Sequence, residues 1–170
     1  VHKRNETTRY VLLETLRWYL FGCLASAGEE NAIRARHRDW CIELGERALP
    51  EMFDRQQLGV LVEEQHNLGA ALRWTVQSDQ AESAGRLAVG LAPLWIVRGP
   101  FGEGRARLTA VAELPSAAAH PACTARALGW ASALAYNEGD YAVGEDLAMR
   151  ALRLAEAAGV GQLGNFEEAR

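Results

Sequence analysis

The second half of this 170-residue chain repeats itself at an interval of 40 residues. Shifted by that interval, Arg86 falls on Arg126, Leu94 on Leu134, Gly99 on Gly139, Gly104 on Gly144 and Leu114 on Leu154, while Phe101 falls on Tyr141 and Ala92 on Ser132. In each unit a helical stretch is followed by a Gly-x-aromatic turn (Gly99-Pro100-Phe101, Gly139-Asp140-Tyr141) and a second helical stretch with a small residue, Gly104 or Gly144, three positions past the aromatic. Glycine adopts positive φ at little cost and ends the first helix. The aromatic is expected to plug the gap between the two helices. Ala92 or Ser132 is expected to face Gly104 or Gly144, so that the backbones approach closely. Helical hairpins repeated at this interval stack into a solenoid.

Helical periodicity covers most of the rest. Leu58, Leu61, Val62, Leu68, Leu72 and Val76 form one apolar stripe. Leu13, Leu16, Leu20 and Leu24 form another, ended by Ser26-Ala27-Gly28, and Ile33, Trp40, Leu44 and Ala48 a third, ended at Pro50. Helices are expected at 13–26, 29–49, 57–77, 80–98, 102–113, 121–138 and 141–158, with a loop from Leu114 to Pro121 and a kink at Pro93. The one place with strand character is Arg9 to Leu13. The predicted class is therefore all-α, with antiparallel helical hairpins stacked in an α-solenoid.

Charge and cysteine content narrow the function. With 18 basic and 22 acidic side chains the net charge is −4, and no basic face of the kind that neutralises phosphates is evident, so direct nucleic-acid binding by this segment is not expected. All but one of the basic residues are Arg, the exception being Lys3, and with the Ala-rich composition this reads as the codon bias of a GC-rich genome. Cys23, Cys41 and Cys123 are widely spaced and odd in number, which suits reduced thiols in a cytoplasmic protein. The apolar stretch from Trp18 to Ala27 is too short to cross a bilayer, and no membrane association is expected. A first residue Val1 rather than Met suggests a processed or excised chain.

Catalytic and metal signals are sparse. His37 and Cys41 lie four apart on one helix face, and His66 could join them, but no fourth ligand stands at motif spacing, so no metal is assigned. The paired carboxylates Glu29-Glu30, Glu63-Glu64 and Glu167-Glu168 point in different directions on a helix and read as solvated or helix-start charges. There is no nucleophile elbow or phosphate-cradling loop. No catalytic residue is assigned, and the chain is not expected to be an enzyme.

Leu128 to Leu152, with Gly139-Asp140-Tyr141 and Ala151-Leu152, resembles a tetratricopeptide repeat, and Ala88 to Ala112 is similar to a degenerate copy with Trp95 at the usual Tyr position. A second resemblance spans residues 9 to 158. Arg9-Tyr10-Val11-Leu12-Leu13-Glu14-Thr15-Leu16-Arg17, Glu63-Glu64-Gln65-His66-Asn67-Leu68, Ala70-Ala71-Leu72-Arg73-Trp74, and Trp95 through Arg98-Gly99 to Glu103-Gly104-Arg105 occur in the same order as segments of the helical-repeat region of STAND-class predicted ATPases and LuxR- or AfsR-type bacterial transcriptional regulators. The resemblance implies a remnant of a winged-helix domain or linker at 1–14, a tetratricopeptide-like repeat domain at 15–158, and a tail or truncated next repeat at 159–170. It further implies that ATP, Mg and DNA chemistry belong to domains outside this chain, which itself has no cofactor.

In a tetratricopeptide-like hairpin the first helix lines the concave groove. On that basis the partner-binding residues are expected to be Arg126, Trp130 and Asn137 with Tyr136 at the edge, and Arg86 and Val97 beside Ile96. Packing of the same side chains against neighbouring helices is the competing reading. The expected role is a non-catalytic interaction or sensor domain, taking a protein or small-molecule effector and passing its binding to other domains of the polypeptide; the alternative is a free-standing adaptor. The exposed apolar end of a truncated solenoid would also allow homo-oligomers.

Overall fold

The computed structural model describes residues 2–4, 7–9, 13–50 and 54–159. It is all-helical apart from a minimal hairpin, and it divides into two compact units, Val1–Arg36 and His37–Arg170. In the first unit, β1 (His2–Arg4) pairs antiparallel with β2 (Thr7–Arg9), Lys3 opposite Thr8. Arg9 therefore closes a strand; residues 10–12 of the expected strand lie outside the described residues. Helix α1 (Glu14–Ala27) ends where Gly28 turns left-handed at φ 71°, its N–H donating to Ala25 O and that of Glu29 to Leu24 O. Helix α2 (Glu30–Ala48) starts in this unit, where Arg34 pairs with Glu30 at 2.7 Å and lies 4.9 Å over the Phe21 ring.

The second unit holds the rest of α2, then α3 (Arg55–Gln77), α4 (Ala81–Arg98), α5 (Phe101–Ala112), a 3-10 turn (Pro115–Ala119), α6 (Pro121–Glu138) and α7 (Tyr141–Ala157). Asp54 caps α3 by accepting hydrogen bonds from the backbone of Gln56 and Gln57. The 40-residue period is literal. Helices α4 and α6 have the same bounds displaced by 40, and α5 and α7 start 40 apart. Helix α4 is the hub, packing on α3, α5 and α6 and burying nearly every side chain from Ala84 to Trp95. Helix α6 packs on α4, α5 and α7. Leu61, Leu68, Leu72, Leu87, Leu108, Leu128 and Leu134 are fully buried between these layers.

Helix α4 runs on through Pro93. The ring is fully buried in the core, where packing offsets the missing hydrogen bond. The expected loop 114–121 contains the 3-10 turn. The two Gly-x-aromatic turns are built differently. Gly139 is left-handed at φ 86°, with Asp140 N–H returning to Ala135 O. Gly99 takes φ 64° with ψ −176°, and the bond to Pro100 is cis. Phe101 packs against the core as expected, but Tyr141 does not plug its hairpin: it is 65% exposed, its ring 5.7 Å from that of Tyr136. Ser132 does meet Gly144, its hydroxyl donating to Gly144 O at 2.7 Å. Gly104 makes room for Trp95 rather than Ala92, since a Cβ there would stand 2.5 Å from the indole.

Candidate functional site

Three helices converge where α2, α4 and α6 come together. Glu46 and Leu49, Gly85, Arg86, Val89 and Gly90, and Cys123 and Arg126 line a shallow cleft open to solvent. Its floor depends on absent side chains. A Cβ on Gly85 would collide with Cys123 Sγ, and one on Gly90 would meet the backbone of Gly45. Arg86 forms a bidentate pair with Glu46, Nε to Oε1 at 2.7 Å and the second nitrogen to Oε2 at 2.9 Å. That hydrogen bond raises the Arg86 pKa above its ordinary value, against the opposing effect of burial.

The Cys123 thiol donates a hydrogen bond to Glu82 O at 3.5 Å. Burial pushes its pKa up, and the neighbouring Arg126 and Arg86 only partly counter this. A thiol held protonated is a poor nucleophile. The cleft sets two guanidinium groups beside the apolar surface of Leu49 and Val89, with the Arg86 charge already met by the Glu46 carboxylate.

Of the groove residues expected from sequence, the structure brings Arg86 and Arg126 into this one cleft. Ile96 packs against the core and Val97 is exposed, both at the far end of α4. Trp130 is half-buried against the core. Tyr136 lies against Gly144 and Tyr141 of its own hairpin, where a Cβ on Gly144 would stand 3.0 Å from its ring. Asn137 is exposed and donates to Ala133 O at 2.8 Å. Glu46 and Leu49 had no sequence signal, because they precede the repeat. Gly85 could have been flagged as a helix-interior glycine with no turn to serve.

His37 Nε2 and Cys41 Sγ stand 3.6 Å apart, while His66 is exposed on α3; among the described residues no three metal-ligating side chains converge. Burial, then the nearby Glu64 carboxylate, pushes the Cys41 thiol up to about 12. Glu30 is engaged by Arg34 and Glu64 by Asn67; Glu167 and Glu168 lie outside the described residues. No described helix is long and apolar enough to cross a membrane.

No protein-family model and no solved structure matches the chain. Over 108 residues, 62% of its length, it is 36% identical to proteins named as HTH-type transcriptional regulators in Mycobacterium tuberculosis (strains H37Rv and CDC 1551) and Mycobacterium bovis. The chain is thus similar to transcriptional regulators. The match spans only 12% of the length of those relatives.

Proposed function

We propose that this chain is a non-catalytic interaction and sensor domain of a multidomain bacterial transcriptional regulator. The observation that carries this reading is the similarity to a 12% portion of much longer regulators. The helical hairpins repeating at 40 residues support a tetratricopeptide-like right-handed solenoid, and a cleft lined by Arg86 and Arg126 but without an activated nucleophile supports binding rather than chemistry. ATP hydrolysis with Mg, and DNA contact, belong on this reading to other domains of a cytoplasmic STAND-class, LuxR- or AfsR-like polypeptide. An effector that binds the repeats better in one arrangement of the whole protein shifts the population toward the DNA-active state by its differential affinity.

The test is to sequence the gene on both sides of the segment encoding Val1–Arg170. A phosphate-binding loop and a helix-turn-helix in the same reading frame are expected. A start codon beside Val1 and a stop after Arg170 would defeat the regulator reading and leave a free-standing adaptor.

A further inference from the structure

The internal repeat allows α7 to be compared with α5 position by position. On α5, Phe101, Gly102, Arg105, Thr109 and Ala112 fall on one side of the helix, the side whose Gly102 and Arg105 meet Glu138 of α6, and all five are half-buried. Arg105 pairs with Glu138 of α6 at 2.9 Å, and a Cβ on Gly102 would stand 2.6 Å from the same carboxylate. Forty residues on, the equivalent positions are Tyr141, Ala142, Glu145, Met149 and Leu152, and all five are exposed. Tyr141 is 65%, Met149 49% and Leu152 46% exposed. Met149 and Leu152 replace Thr109 and Ala112, so the uncovered face is more apolar than the covered one. The other side of α7 packs normally, with Gly144, Leu147, Ala151 and Ala155 buried.

We infer that this face of α7 is the seat of the first helix of a third hairpin, lying on α7 as α6 lies on α5. Four observations choose that occupant. The two helices begin at the same point of the repeat and differ in that five-residue face by cover. Helix α7 ends in a turn with Gly159 at φ 68°, a left-handed stop like the Gly139 turn that folds α7 back on α6. The charge is inverted: Glu145 stands where α5 has Arg105, so the occupant carries Arg or Lys where α6 carries Glu138. Polypeptides far longer than this chain are the context in which its relatives occur.

Met149 reports directly on the cover, because methionine oxidation follows exposure. Brief peroxide treatment of the 170-residue chain and of the complete polypeptide encoded by the gene, read by mass spectrometry of the Met149 peptide, gives the comparison. Oxidation of Met149 is expected to slow by about tenfold in the complete polypeptide. Leu152→Glu is expected to restore fast oxidation there while leaving the melting temperature of the 170-residue chain unchanged. Equal oxidation in the two proteins would overturn the inference, as would a gene that ends before a further hairpin. Protection of Met149 that rises with concentration of the 170-residue chain and vanishes in Leu152→Glu would assign the face to a second copy instead, and overturn it equally.

Discussion

Gly45 of α2 and Gly90 of α4 cross in backbone contact: a Cβ on Gly90 would stand 2.8 Å from Gly45 Cα, and one on Gly45 3.0 Å from Gly90 Cα. The two helices meet here with no side chain between them, which draws Glu46 within reach of Arg86. Gly90→Ala improves helix propensity by up to about 1 kcal/mol, yet it forces apart two backbones that cannot yield as a side chain would. The expected net result is destabilisation of about 1–3 kcal/mol by urea denaturation. Gly129→Ala is the control: it lies inside α6 with nothing within 4 Å of a Cβ, and should stabilise by about 0.5–1 kcal/mol. The close crossing is disproved if both substitutions stabilise.

The contrast between local and non-local information explains what the sequence made legible. Gly28, Gly99, Gly139 and the apolar stripes place the helix ends within a residue or two of those observed, because stops and periodicity are local. Phe101 and Tyr141 occupy the same place in the repeat, yet one is half-buried against the core and the other exposed, because burial is set by the elements packed around a position and not by its register. Arg86 and Arg126 share a cleft because the repeat sets α4 beside α6. Glu46, which completes it, comes from a helix outside the period, and no spacing rule points to it. Trp130 shows the same limit: the helical register that puts it beside Arg126 does not reveal the core on its flank.

A single turn ties the α3–α4 connection to the 3-10 segment. Asp79 has φ 50°, and its carboxylate accepts the Ser116 N–H at 3.0 Å, while the Ser116 hydroxyl lies 2.8 Å from Asp79 O and itself accepts from Ala81 N–H at 3.1 Å. Asp79→Ala loses the carboxylate and leaves a Cβ-bearing residue with no local hydrogen bond at positive φ, an expected cost of about 1–3 kcal/mol. Asp79→Gly removes the backbone strain and should fall between Ala and wild type. Equilibrium denaturation checks that order; an Ala variant as stable as wild type would show that the turn is not held by Ser116.

Cys41 makes stability fall in alkali. Its native thiol is raised from 9.0 to about 12, so between those values the folded chain holds a proton that the unfolded chain releases. The contribution is fully present below pH 9 and is lost as pH rises toward 12, with a slope of about 1.4 kcal/mol per pH unit from this one group. Unfolding free energies at pH 8, 9, 10 and 11 should fall more steeply for wild type than for Cys41→Ala. The difference between the two proteins removes the common effect of Tyr and Lys titration. Parallel curves would mean that the thiol is not buried in solution.

Arg126 and Trp130 stand one helical turn apart on α6 and are expected to separate binding from stability. Arg126 lines the cleft, whereas Trp130 is half-buried against the core. Arg126→Ala should cost less stability than Trp130→Ala and weaken binding of a short Asp- and Glu-rich peptide by about tenfold, corresponding to about 1.4 kcal/mol. Trp130→Ala should lower stability by about 2–4 kcal/mol through lost aromatic packing, a little less than a fully buried ring costs. Arg86→Ala gives the intermediate case. Its pair with Glu46 is substantially exposed, so the loss of stability stays below about 1 kcal/mol, while peptide binding falls as in Arg126→Ala. Calorimetric melting of the three variants with a peptide titration of each checks the separation. If Arg126→Ala and Arg86→Ala leave peptide affinity untouched, the cleft is a by-product of the glycine crossing rather than a recognition site.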